Sequence, residues 1–106
     1  MPAYLIGRID VHDERAYSAY AALVPDIMQR YGGRFLSRGQ LPMTLEGEVE
    51  TRRIVIVEFP DANQARAFFE SPEHRAARAL RASISAGEFI IAPSGEAPWL
   101  GSGPEA

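Results

Sequence analysis

Cysteine is absent from the 106 residues. That excludes disulfides, thiolate nucleophiles and cysteine-ligated metals, and it fits a reducing cytoplasm, the location expected here. No apolar run approaches the ~20 residues of a membrane span. Met1-Pro2-Ala3-Tyr4 lacks a basic region followed by an apolar stretch, so no signal peptide is expected. An excess of positive charge is missing too. The formal net charge is −3, which gives no basic field for nucleic acid. Histidine is scarce: His12 and His74 stand alone, with no second ligand at metal-binding spacing, so no metal site is expected. Gly32-Gly33 follows a helical pattern, whereas a phosphate-cradling loop precedes one. No motif calls for a cofactor.

What is present is a core. Apolar residues make up 46% of the chain, enough for one modest folded domain at this length. The longest β-branched run, Arg53-Ile54-Val55-Ile56-Val57-Glu58-Phe59-Pro60, reads as a central strand. Alternation puts Val55, Val57 and Phe59 on one face and Ile54, Ile56 and Glu58 on the other. Both faces are mostly apolar, as in a sheet covered on both sides. Helices of the chain can cover one side, and a second copy is the expected cover of the other.

The remaining elements follow in order. Ala3 to Asp10 reads as a strand with Tyr4, Ile6 and Arg8 on one face; Gly7, on the other, admits close packing of a helix or a ligand. Asp13 is a helix N-cap. Tyr17, Tyr20, Ala21, Val24, Ile27, Met28 and Tyr31 then form one apolar helical face. Pro25 should kink that helix near Val24, and Gly32-Gly33 ends it. Arg34 to Gln40 reads as a strand with Phe35 and Ser37 opposite Arg34, Leu36 and Arg38. Gly39 to Glu50 reads as a loop.

Asp61 with Gln64 caps a second helix, whose core face is Ala65, Phe68 and Phe69. Ser71-Pro72-Glu73 starts a third helical segment, predicted to run to about Ser85 with Ala76, Ala77, Leu80 and Ile84 inward. Glu88 to Ala92 reads as the last strand. Residues 1–92 thus form the domain, and residues 93–106 a tail with little regular structure. Trp99 and Leu100 in that tail suggest docking, for instance on a partner subunit.

The element order is strand, helix, strand, strand, helix pair, strand. It predicts the α+β, ferredoxin-like βαββαβ class with an antiparallel sheet, its first and third strands central and one face bare. An apolar bare face invites a homodimer of barrel-like form. Three motifs occur together with this order: Tyr31-Gly32-Gly33-Arg34-Phe35, Ile56-Val57-Glu58-Phe59-Pro60 and Phe69-Glu70-Ser71-Pro72-Glu73-His74. Over about residues 3 to 92 the chain resembles the DUF1330 family of the dimeric α+β barrel superfamily, small proteins of unknown function. The sequence departs from the family's pattern at His74, where the family usually has Tyr. The resemblance implies the fold and the dimer. By analogy within the superfamily, any activity would be that of a cofactor-free oxygenase or isomerase acting on a small organic molecule.

Several side chains are candidates for chemistry. Arg8 and Glu58 fall on the same bare face of neighbouring strands. They either orient a polar ligand, with Glu58 as a general base, or form a structural ion pair at the dimer seam. His74, Arg78 and Arg81 lie at i, i+4 and i+7 of the third helical segment. They either hold an anion, with His74 as a catalytic group, or form a solvated face. Tyr17 and Tyr20 either present hydroxyls to a ligand or fill the core. Two functions therefore stay open: a pocket between sheet and helices for a small molecule, or a non-catalytic dimerisation module with a filled barrel.

Overall fold

The computed structural model describes residues 1–100 of the chain. Its elements are β1 (Ala3–Val11), α1 (Glu14–Arg30), β2 (Arg34–Gln40), β3 (Arg53–Phe59), α2 (Ala62–Glu70), α3 (Pro72–Ala79), β4 (Ser85–Pro93) and a 3₁₀ turn at Pro98–Leu100. The four strands form one antiparallel sheet in the order β2-β3-β1-β4. This is the expected α+β arrangement, with β1 and β3 central.

The helix starts follow from side-chain caps. Asp13 accepts from the Ala16 amide at 3.0 Å, Asp61 from Gln64 at 2.8 Å, and Ser71 from His74 at 3.1 Å. Each satisfies an amide that the first turn leaves unbonded. Helix α1 ends at Tyr31, and Gly32 follows at φ +78, a conformation that costs glycine nothing.

One face of the sheet carries the core. Leu5, Val57 and Phe59 pack there against Tyr20, Val24, Ile27 and Met28 of α1, Ala65 and Phe68 of α2, and Ala77 of α3. Gly7 lies opposite Phe89, and a Cβ on it would meet the Phe89 ring at 2.5 Å. The close neighbour at Gly7 is thus a ring from the adjacent strand rather than a helix.

The other face holds Tyr4, Ile6, Ile54 and Ile56, partly buried, together with Ile90, which is 52% exposed. Ion pairs bracket this apolar centre. Arg34 grips Glu58 at 2.8 Å at one end. Glu50 meets Arg52 at 2.9 Å and Arg8 at 3.7 Å at the other, where Arg52 also reaches Glu88. The hydrogen bonds from Arg52 hold the Glu50 carboxyl down at about 2.

Four expectations need correction. First, α3 stops at Ala79, and β4 begins at Ser85 rather than Glu88, because it pairs along the whole of β1 from Val11↔Ser85 to Ala3↔Pro93. Second, the inward face of the third helical segment is not the apolar one. Ser71, His74, Ala77 and Arg81 are buried while Ala76 and Leu80 are exposed. Third, Arg8 and Glu58 do not pair. Register places Tyr4 opposite Glu58 and Ile54 opposite Arg8, so the two charges lie about 13 Å apart along the strands. Fourth, β2 does not alternate evenly. Its register shifts between Phe35 and Ser37 and again between Arg38 and Gln40, so Phe35 and Arg38 share the helix-covered side. The assigned helix α1 runs on through Pro25, and Trp99 is 82% exposed.

Candidate functional site

A cavity of about 200 Å³ lies between α1 and the helix-covered face of the sheet. Its wall is mostly apolar, with Leu5, Val24, Val55, Val57, Phe68 and Phe89 among its residues. Polar groups enter at Tyr17, Tyr20, His74, Arg38 and Arg53. An apolar chamber with a few convergent polar groups is the usual form of a small-molecule site.

Helix α1 supplies the tyrosines, with ring centroids 5.3 Å apart. Burial, reinforced by neighbouring Tyr20, pushes the Tyr17 hydroxyl up to about 12, and burial raises Tyr20 as well. Both are therefore protonated near neutral pH. The N-terminus of α3 supplies His74, which is 1% exposed and packed against Phe68 and Phe69.

The hydrogen bonds of His74 fix its tautomer. Its Nδ1 lies 3.1 Å from the Phe69 carbonyl, which can only accept, so Nδ1 carries the proton. Burial chiefly, with the charges of Arg78 and Arg81, holds the ring down to about 4 despite that carbonyl. The imidazole is neutral near pH 7 and its Nε2 is bare. The Tyr20 hydroxyl, 2.9 Å away, donates to it. The Arg81 guanidinium lies beside the same hydroxyl and opposes the effect of burial on it.

Arg38 and Arg53 stand at the exposed end of the cavity, each held by a carbonyl. Arg53 donates to Gly39 O at 3.0 Å and lies 3.5 Å from Glu14. Arg38 stacks on Phe35, 4.5 Å from the ring centroid, and donates to Ala21 O at 2.7 Å. That carbonyl has a particular history in the sequence. Ala21 is four residues before Pro25, and proline has no N–H to give it. The arginine replaces the missing helical donor.

A double-mutant cycle checks this coupling. Arg38→Met alone should cost about 1 kcal/mol, the usual net worth of such a bond. In a Pro25→Ala background, where residue 25 regains its amide, the cost should fall close to zero. Urea unfolding measures both; equal costs in the two backgrounds would separate Arg38 from the proline.

The structure distributes the sequence candidates unevenly. Tyr17, Tyr20 and His74 meet at the cavity. Arg78 and Arg81 come close but stand behind its aromatic wall: Arg78 lies 4.4 Å from the Phe69 centroid, and Arg81 lies 4.9 Å from Tyr20 and 5.0 Å from Phe89. The stripe is thus packed inward, not solvated. Arg8 and Glu58 lie on the opposite face of the sheet, and Glu58 is engaged by Arg34. Arg38 and Arg53 were missed as site residues. Alternation along β3 already put Arg53 on the face of Val55, Val57 and Phe59, whereas the shift that turns Arg38 over lies between Phe35 and Ser37, where no glycine marks it.

The family described as "Domain of unknown function (DUF1330)" matches residues 2–94. No curated protein matches the chain. Among solved structures, RPA0582 from Rhodopseudomonas palustris, a protein of unknown function, aligns with a TM-score of 0.70 at 19% identity, covering 91% of this chain and 84% of that one. SnoaB from Streptomyces nogalater, a cofactor-independent oxygenase, aligns at 0.63 and 16% identity, covering 91% and 95%. A dimeric ferredoxin-like protein of unknown function from Thermobifida fusca aligns at 0.56 and 18% identity, covering 89% and 92%. These likenesses establish the ferredoxin-like fold. Among the described residues no helix is long and apolar enough to cross a membrane.

Proposed function

We propose, from the premise that the chain belongs to the DUF1330 family, that it is a homodimer binding a small, largely apolar organic molecule in the cavity under α1. The observation that carries this reading is the Tyr20–His74 pair, a hydrogen-bonded donor and neutral acceptor set in a mostly apolar chamber. A merely filled core would have little use for two bonded polar groups at a cavity wall. The dimer is supported by the apolar open sheet face and by the dimeric ferredoxin-like neighbour. Seam and cavity lie on opposite faces of one sheet, so a solidly packed seam is compatible with a ligand pocket.

Chemistry beyond binding would centre on Tyr20 and His74. An imidazole whose conjugate acid titrates near 4 takes a proton only from a comparably strong acid, so the pair would orient a ligand group or accept from a carboxylic acid rather than remove a C–H proton. SnoaB, a cofactor-independent oxygenase, shares this fold, an analogy of fold rather than of site.

Thermal unfolding against a panel of small aromatic and alicyclic compounds tests the binding. A compound at a hundred times its Kd should add about 2.7 kcal/mol of stability, a rise in Tm of roughly 10 °C or more. Ala21→Trp, placed to fill the cavity from α1, should abolish the rise. If no compound stabilises the native chain more than this variant, the reading fails.

A further inference from the structure

We propose that the cavity takes an organic anion, with an aromatic or alicyclic body in the chamber and a carboxylate or comparable acidic group met by Arg38 and Arg53 at its open end. This rests on the cavity being a ligand site, and it adds the charge and orientation of the ligand.

The argument is one of charge placement. The chain as a whole carries −3, yet among the described residues no aspartate or glutamate lines the cavity, whose charged lining residues are Arg38 and Arg53. Behind the aromatic wall stand Arg78 and Arg81, whose buried Nε atoms have no hydrogen-bond partner among the described residues. Among the described residues, Arg53 is the one of these four with a carboxylate nearby, the exposed Glu14 at 3.5 Å. An acidic protein has thus gathered four guanidinium groups around this apolar chamber, with the exposed Glu14 beside one of them.

The two arginines at the opening are also fixed in place. Carbonyls hold Arg38 and Arg53 at 2.7 and 3.0 Å, and Phe35 supports Arg38 from beneath. A carbonyl positions a guanidinium without neutralising it, and each fork has further N–H groups to offer. A planar carboxylate is the natural complement of such forks. With the apolar wall set deeper, the ligand would enter body first and leave its acidic group between the arginines. The field of Arg78 and Arg81, acting through the low-polarity wall, adds to the attraction.

The test compares naphthoate and benzoate with their uncharged amides by isothermal titration at pH 7, on the full chain and on Arg53→Gln and Arg38→Gln. Arg53 is exposed, so its variant keeps the fold; circular dichroism confirms this for both. The carboxylates should bind about tenfold tighter than the amides, as charge-assisted bonds would give. Each variant should lower carboxylate affinity about tenfold and leave the amides unchanged. Equal binding of acids and amides would overturn the anion while the cavity stands as a site. A preference for acids that survives both variants would overturn the assignment to Arg38 and Arg53. Failure of every compound to bind would remove the site and the anion together.

Discussion

Replacing Ile56 by Asp is expected to leave a folded monomer in place of the proposed dimer. Ile56 lies at the centre of the open sheet face, opposite Ile6 on β1 and Ser37 on β2, between Arg34–Glu58 at one end and the Arg8, Glu50, Arg52 and Glu88 cluster at the other. In the proposed assembly that centre is dry. The cation diagonal to that position, Arg8, is already drawn toward Glu50 at 3.7 Å, and an unpaired buried charge costs roughly 3 kcal/mol or more. A two-fold interface would carry the substitution twice. The dissociation constant should therefore rise by well over a hundredfold, on the order of 1.4 kcal/mol per tenfold. Inside a single subunit Ile56 is only partly buried, so the fold itself should survive. Light scattering after size exclusion gives the mass, and Leu80→Asp, on the exposed side of the turn after α3, is the control that should change nothing. An unaltered dimer mass for Ile56→Asp would place the seam elsewhere.

What could be read from the sequence was what local chemistry decides. The caps at Asp13, Asp61 and Ser71 need only the three residues that follow them. The two apolar faces of β3 need only alternation, and the order of elements then fixes which strands are central. Alternation says which face a side chain takes but not how far along a neighbour it lies, and so the Arg8–Glu58 pair was wrong by about four residues. The Arg38 position failed because a bulge resets the alternation within a seven-residue strand.

The third helix failed for a different reason. Hydropathy ranks arginine as a surface residue, whereas Arg78 and Arg81 cover aromatic rings with their guanidinium planes. The inward stripe was legible as a stripe and illegible as inward. Its companion Leu80, apolar and exposed, is the converse case. The cavity shares this origin: its polar groups come from α1, α3, β2 and β3, and no spacing along one element announces their meeting.

The buried imidazole should also give the protein a defined sensitivity to acid. In the unfolded chain His74 titrates near 6.5, and in the native state near 4. Between those values the unfolded chain binds a proton that the native chain refuses. Stability contributed by the neutral ring is therefore intact above pH 6.5 and is lost as pH falls toward 4. The total is on the order of 3 kcal/mol, at about 1.4 kcal/mol per unit of pKa. The loss arises from burial and from the nearby Arg78 and Arg81, not from broken hydrogen bonds, because a protonated Nε2 could still donate to the Tyr20 oxygen. His74→Phe isolates the effect. It should be less stable than the native chain at pH 7 by about 1–3 kcal/mol, since Tyr20 loses its acceptor in a buried site. That gap should close as the pH is lowered to 4.5, because phenylalanine has no proton to gain. Urea denaturation at both pH values measures the difference directly. Parallel loss of stability in the two proteins would mean that His74 is protonated as readily in the fold as in water, and the neutral base assigned to the cavity would be lost with it.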